Sequence, residues 1–179
     1  PLLQFLGNLD CILSIQTLVS GSNYNFVDYL HNSTPQIRAK EIWHPSFDPT
    51  KMVTNSFECG TDSKHPRNSI ITGPNAGGKS TFLKSLSINV LLAQTLGIAS
   101  AASFTLTPFH FINTYLNIPD CKGKESLFEA EMNRAYNHIQ KVSSLRKGQF
   151  SFCILDEIFN GTNPTEGISG AYAIAKSLG

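Results

Sequence analysis

The chain has 179 residues, 41% hydrophobic and 15% charged, the balance of a folded domain and not of a disordered segment. Fourteen Lys and Arg against 13 Asp and Glu leave a net charge of +1. That excludes the broad basic footprint with which a chain grips nucleic acid or an anionic membrane surface. Cys11, Cys59, Cys121 and Cys153 stand far apart with no Cys-x-x-Cys pair, the pattern of reduced thiols in an intracellular protein of cytoplasm or nucleus. No unbroken apolar run reaches the ~18 residues that span a bilayer, so no membrane partner is expected. The opening "PLLQFLGNLD" has no initiator Met and no basic n-region, and "AKSLG" closes just past a helical pattern. Both ends look cut, and a piece of a longer protein is expected.

In chain order, Leu2, Leu6, Leu9 and Leu13 step by four, three and four, which predicts a helix from Leu2 to Val19 that breaks at Gly21. From Ile37 to Cys59, punctuated by Pro45 and Pro49, short strands and loops are expected. "TDSKHPRN" is a polar loop, and "SIIT" a short β-branched run that reads as a buried strand. The next helix carries Leu83, Leu86, Val90 and Ala93 on one face and ends near Gly97. "AASFTLTPFHFINTYLNI" has strand composition interrupted by Pro108, and "DCKGKES" is a polar loop. A second long helix has Phe128, Met132, Ala135, Ile139 and Val142 on one face. "QFSFCIL" is an apolar strand, "FNGTNPTEG" a turn, and a last helix aligns Ile168, Ala171, Ala175 and Leu178. Strands alternating with helices predict an α/β fold with a largely parallel sheet.

Between "SIIT" and its helix lies "GPNAGGKS", which fits G-x-x-x-x-G-K-[ST]. Gly73, Gly77 and Gly78 let the backbone curl so that N–H groups face phosphate oxygens. The helix starting near Lys79 adds its positive end. Lys79 can reach the β- and γ-phosphates of a nucleotide, and Ser80 can offer its hydroxyl to Mg²⁺. Downstream, the strand "FCILDE" ends in two carboxylates. Asp156 can hold Mg²⁺, directly or through water, and Glu157 can polarise an attacking water as general base. Taken singly, a glycine turn or a carboxylate pair can be a plain loop. Together they predict nucleotide hydrolysis.

"TGPNAGGKST" resembles the ATPase domain of the MutS mismatch-repair family, whose turn reads TGPNMGGKST. "ESLFEAEMNRAYNHI" and "ILDEIFNGTNPTEGISGAYAIAKSL" resemble that family's later segments, "EIWHPSF" and "KMVTNSF" its upstream ones, and "LGNLDCILS" the end of its long lever helix. The resemblance covers nearly the whole chain and divides it into residues 1–20, the end of a lever or core-domain helix, and 21–179, an ATPase domain incomplete at its C-terminus. It implies a P-loop NTPase of ABC-ATPase type. It also implies a dimer with a second MutS-like subunit, two ATPs between the subunits, and DNA bound through domains outside this segment. On it, Gly73, Pro74, Asn75, Ala76, Gly77, Gly78, Lys79, Ser80 and Thr81 bind ATP, with Asn75 near the γ-phosphate. Met52 and Val53 fall where the family packs apolar side chains on adenine, although both also suit ordinary core packing. Ser126 matches the serine presented across the dimer to the partner's γ-phosphate, and it equally suits a helix N-cap.

Several positions depart from the family. Ala76 replaces Met, Leu127 replaces Thr, Phe159 and Asn160 replace Gly-Arg, and Asn163, Pro164 and Glu166 alter the stretch that follows. These point to a divergent branch, either a clamp of DNA mismatch repair or an ATPase scaffold that reads no mismatch. A different ABC engine is disfavoured because no LSGGQ-like signature precedes the acidic strand. The family's switch histidine lies on a strand beyond residue 179, and the isolated segment is expected to be poorly stable and a weak ATPase. Trp43 and His44 read as packing and structural residues, and Lys122 and Lys124 as solvated charge.

Overall fold

The computed structural model describes residues 2–21, 23–48, 50–62, 64–116, 127–159 and 162–178. They fall into two units, Pro1–Pro108 and Phe109–Gly179.

The first unit opens with helix α1, Leu2–Gly21, followed by the two-residue strands β1, Asn25–Phe26, and β2, Asp28–Tyr29. Strands β3, Ile37–Ile42, and β4, Asn55–Cys59, precede helix α2, Lys79–Leu96, and then β5, Ile98–Ala99, and β6, Ser103–Leu106. The main sheet has the order β2-β6-β3-β4. β2 runs parallel to β6, and β3 runs antiparallel to both of its neighbours. Alternation puts Ile37 and Ala39 of β3 and Phe104 and Leu106 of β6 inside. The pairing of β3 with β4 then shifts register between Ala39 and Ile42, where Glu41 takes φ 52. The irregularity lets Ile42 face inward three residues after Ala39.

Helix α2 is capped by glycine at both ends. Gly78 stands at its N-cap at φ 84, and Gly97 closes its C-terminus at φ 72 with its N–H on the Leu92 and Ala93 carbonyls. Leu86, Val90 and Ala93 are buried as their spacing predicts. Asn89, fully buried on the same face, donates to Trp43 O (3.2 Å) and Ser85 O (2.9 Å) and accepts from Ser100 N (2.7 Å). Every apolar neighbour of that amide is thereby spared an unsatisfied polar atom, at a gain of about 1 kcal/mol per bond. Phe57 of β4 meets Phe82 of α2 edge-on, with centroids 5.8 Å apart, which pins the first turns of α2 to the sheet.

In the second unit, strand β7, Phe111–Tyr115, helix α3, Leu127–Ser143, and strand β8, Ser151–Leu155, form a β-α-β crossover. The strands pair in parallel from Phe111↔Ser151 to Tyr115↔Leu155. Helix α4, Pro164–Leu178, ends the chain. Proline stands at its first position, where no N–H is missed, and Asn163 caps it, accepting the Thr165 N–H at 2.9 Å.

Five expectations are corrected. The sheet is not mostly parallel: β2–β6 and β7–β8 are parallel, while β1–β5, β3–β4 and β3–β6 are antiparallel. The antiparallel pairs β1–β5 and β3–β6 join segments far apart in the chain, so the alternation of strands and helices along the sequence does not set their direction. "SIIT" is not a strand. Residues 69–72 join no sheet among the described residues, and Ile70 is 91% exposed, since β-branched composition makes a strand only where a partner completes its ladder. Helix α1 forms, but its leucine face is bare and its contacts come from Ile15, Leu18 and Val19 against Tyr24, Trp43 and Ile98. By length and mean hydropathy (1.4) it passes as long and apolar enough to cross a membrane, although no unbroken apolar run marks it, and that is weak evidence of a span. On α3, Met132 is exposed, while Glu131 and His138 are buried. On α4, Ile168 is 71% exposed, and Gly167 and Ile174 turn inward with Ala171 and Leu178 beside them. On α3 the predicted positions Phe128, Ala135 and Ile139 do pack inward, while on α4 the Phe159 ring against Gly167 and Gly170 decides which face is covered.

Candidate functional site

The glycine turn lies in the first unit, at the start of α2. Gly77 N–H donates to Pro74 O at 3.1 Å and closes a four-residue turn in which Ala76 takes φ 61. A left-handed alanine costs roughly 1–2 kcal/mol, so the turn holds a defined, strained shape. Gly77 has no room for a side chain, because a Cβ there would stand 2.9 Å from Pro74 O. The Lys79 ammonium reaches back over the loop and donates to Gly73 O (2.9 Å) and Pro74 O (2.8 Å). Gly78 gives α2 no side-chain cap. The N–H groups of Lys79, Ser80 and Thr81 therefore have no acceptor within the helix and point along its positive end. Gly73, Pro74, Asn75 and Thr81 are exposed, and Ser80 is half-buried.

Two other sequence candidates lie in the same unit. Met52 is half-buried against the Tyr24–Trp43–Ile98 cluster, while Val53 is 79% exposed. Trp43 is buried and meets Tyr24 edge-on at 5.4 Å, a packing residue as its sequence setting implies. The His44 ring stacks on Phe47 at 4.9 Å, and its Nδ1 accepts the Ser46 N–H at 3.2 Å, which places any ring proton of the neutral form on Nε2.

The carboxylate pair lies in the second unit, where β8 ends. Asp156 N–H donates to Tyr115 O at 3.0 Å and extends the parallel ladder by one bond, so the ladder fixes where Asp156 leaves the sheet. Asp156 is half-buried and Glu157 exposed. Glu157 takes φ 49 and Phe159 φ 62, both in the left-handed region. Phe159, which stands where the resembling motif has Gly, thus takes a left-handed backbone although it carries a ring. Ser126, Lys122, Lys124, Cys121 and Asn160 lie outside the described residues.

One feature of this unit has no counterpart in the motif reading. A cleft of about 360 Å³ opens between β7 and α3, walled by Phe111, Asn113, Tyr115, Arg134, His138 and Lys141. His138 is 2% exposed, its ring stacks on Phe111 at 5.5 Å, and neither ring nitrogen has a hydrogen-bond partner among the described residues. Burial lowers its pKa. Burial, with the Cys153 thiol adding to it, pushes the Tyr115 phenol up to about 12, and burial pushes Cys153 itself up to about 12. These groups stay uncharged at neutral pH. The signal available in the sequence was the i, i+4, i+7 spacing of Arg134, His138 and Lys141, which a search for apolar faces passes over.

A family model described as MutS domain V matches residues 69–179. Among curated relatives, Endonuclease MutS2 of Lactobacillus johnsonii is 34% identical over 82% of this chain and 18% of its own length. DNA mismatch repair protein MSH3 of Candida albicans is 33% identical over 97% of this chain and 16% of its own. MSH3 of Meyerozyma guilliermondii is 31% identical over 99% of this chain and 18% of its own. The chain thus spans less than a fifth of the length of these relatives.

Proposed function

As the chain belongs to the MutS family, we propose that it is the ATP-binding and ATP-hydrolysing part of a larger protein in which ATP switches a dimeric DNA clamp. The glycine turn on the end of α2 carries this reading. Its chemistry suits a triphosphate. The first-turn N–H groups of α2 lack helical acceptors, and Lys79 holds two neutral carbonyls that anionic phosphate oxygens would replace with stronger charge-assisted bonds. Ser80 and Asp156 would hold Mg²⁺, which when bound neutralises charge on the β- and γ-phosphates. Lys79 stabilises negative charge that grows on the transferring phosphoryl group. Asn75 lies beside the γ-phosphate, and the Glu157 carboxylate accepts a hydrogen bond from the attacking water and orients it.

In the same proposal Val53, exposed, meets the adenine, and Met52 ties its segment to the core. Ser126 serves the nucleotide of a second MutS-like subunit. Residues 1–20 end a lever helix, and 21–179 belong to a P-loop ATPase domain of ABC type. DNA is bound by other parts of an intracellular protein, and no membrane takes part. A second reading, an ATPase scaffold that reads no mismatch, is favoured by Phe159 and Asn160 standing where the resembling motif has Gly-Arg.

The test is ATP turnover of the full-length protein with no DNA, homoduplex and mismatched duplex, beside Glu157→Gln. The expected result is stimulation by DNA, strongest with a mismatch, and a Gln variant that binds ATP without turning it over. Equal stimulation by both duplexes selects the scaffold reading, and no stimulation by any DNA removes the clamp.

A further inference from the structure

The bend after β8 holds two residues with side chains, Glu157 and Phe159, in a backbone conformation suited to glycine. Such a bend persists only where its surroundings over-determine it. Glu157 is exposed, but Phe159 is buried with Ala135 and Ile174, and its ring stands edge-on to Phe128 of α3, centroids 5.4 Å apart. Two of the α4 residues that face it are glycines. A Cβ on Gly170 would come within 3.0 Å of the Phe159 ring, and one on Gly167 within 2.9 Å of the Phe159 carbonyl oxygen. α4 is shaped to this ring and to this peptide. Ile158, the single residue between the ring and Glu157, packs on the same cluster.

We propose that Phe159 is a positioning residue. Seated against Gly167 and Gly170, it fixes the left-handed bend and thereby aims the Glu157 carboxylate. The role rests on the reading of Glu157 as the residue that orients water. Phe159 touches no substrate and acts through the backbone of Ile158. A carboxylate displaced by an ångström loses turnover while the phosphate turn, in the other unit, goes on binding nucleotide.

Five variants of the full-length protein test this, with kcat and ATP Kd measured separately: Phe159→Gly, Gly170→Ala, Gly167→Ala and the two double variants that combine Phe159→Gly with Gly170→Ala or with Gly167→Ala. Phe159→Gly and Gly170→Ala are each expected to lower kcat about tenfold at unchanged Kd. The double variant with Gly170→Ala should lose no more than Phe159→Gly alone, because the ring that the new methyl strikes is gone. Combined with Phe159→Gly, Gly167→Ala should remain harmful, since its clash is with a backbone oxygen. Gly170→Ala adds one methyl and keeps the test open if Phe159→Gly does not fold. Additive losses in the double variant with Gly170→Ala, a Kd that moves in step with kcat, or unchanged kcat in Gly170→Ala alone would each overturn the positioning role while Glu157→Gln still abolishes turnover. Full turnover in Glu157→Gln would instead overturn the assignment of Glu157, and this role with it.

Discussion

The glycine turn and the acidic bend both pass through left-handed backbone, and they are held there by opposite means. In the turn, Ala76 and Gly78 are exposed, and closure comes from the turn's own hydrogen bonds, one from Gly77 and two from Lys79. In the bend, Glu157 and Phe159 are held by a buried ring seated on another helix. Geometry closed locally survives changes elsewhere in its unit, whereas geometry closed by packing inherits every change in its neighbours.

The largest expected effect is on the packed bend. Phe159→Ala should cost about 3–5 kcal/mol of unfolding free energy, read from urea denaturation, by opening a cavity between α3 and α4. In the turn, Lys79→Ala should lower kcat by about 100-fold or more through loss of charge stabilisation, with little change in the denaturation midpoint. Gly78→Ala, at φ 84 in open space, should cost about 1–2 kcal/mol from strain alone.

The packing of α3 against β7 should also respond to pH. His138 has a folded pKa lowered from 6.5 by burial, so the unfolded chain binds more protons below that value. Its contribution is complete above 6.5 and is lost as pH falls toward the folded pKa, at up to about 1.4 kcal/mol per pH unit. Denaturation at pH 7.5, 6.5 and 5.5 should show the loss, and His138→Gln should flatten it. The smallest effect separates the two closures most sharply. Ala76→Gly should stabilise by a few tenths to about 1 kcal/mol through relief of strain, whereas Phe159→Gly at the same φ should destabilise. If glycine helped in both places, packing would not be what holds the bend.

The same distinction explains what could be read in advance. The glycine turn, the start of α2 near Lys79 and its end near Gly97, and the apolar strand that leads to Asp156 are local matters, and residue type with spacing predicted them. The strand at 69–72 was misread because Ile70 and Ile71 suit a strand only when another supplies hydrogen bonds. The predicted face of α3 holds except at Met132. That of α4 misses at Ile168 because the ring of Phe159 stands against Gly167 and Gly170, and no count of apolar letters favours glycine. Asn89 escaped notice because a polar residue on an apolar face becomes structural only once the carbonyl of Trp43 and the N–H of Ser100 surround it. The residues proposed for nucleotide chemistry sit in short runs of chain, Gly73 to Thr81 and Asp156-Glu157, which is why motif spacing alone could single them out.

Helix α1 has a mechanical consequence. It touches its unit through Ile15, Leu18 and Val19, near one end, while Leu2, Leu3 and Phe5 stand clear. At ~1.5 Å rise per residue, Leu2 lies about 22 Å from that hinge region. A pivot of only about 10° there would sweep the far tip through about 4 Å. If α1 ends a lever helix, as proposed, its anchorage at one end would turn small rearrangements beside Trp43 and Ile98 into larger displacements at its tip.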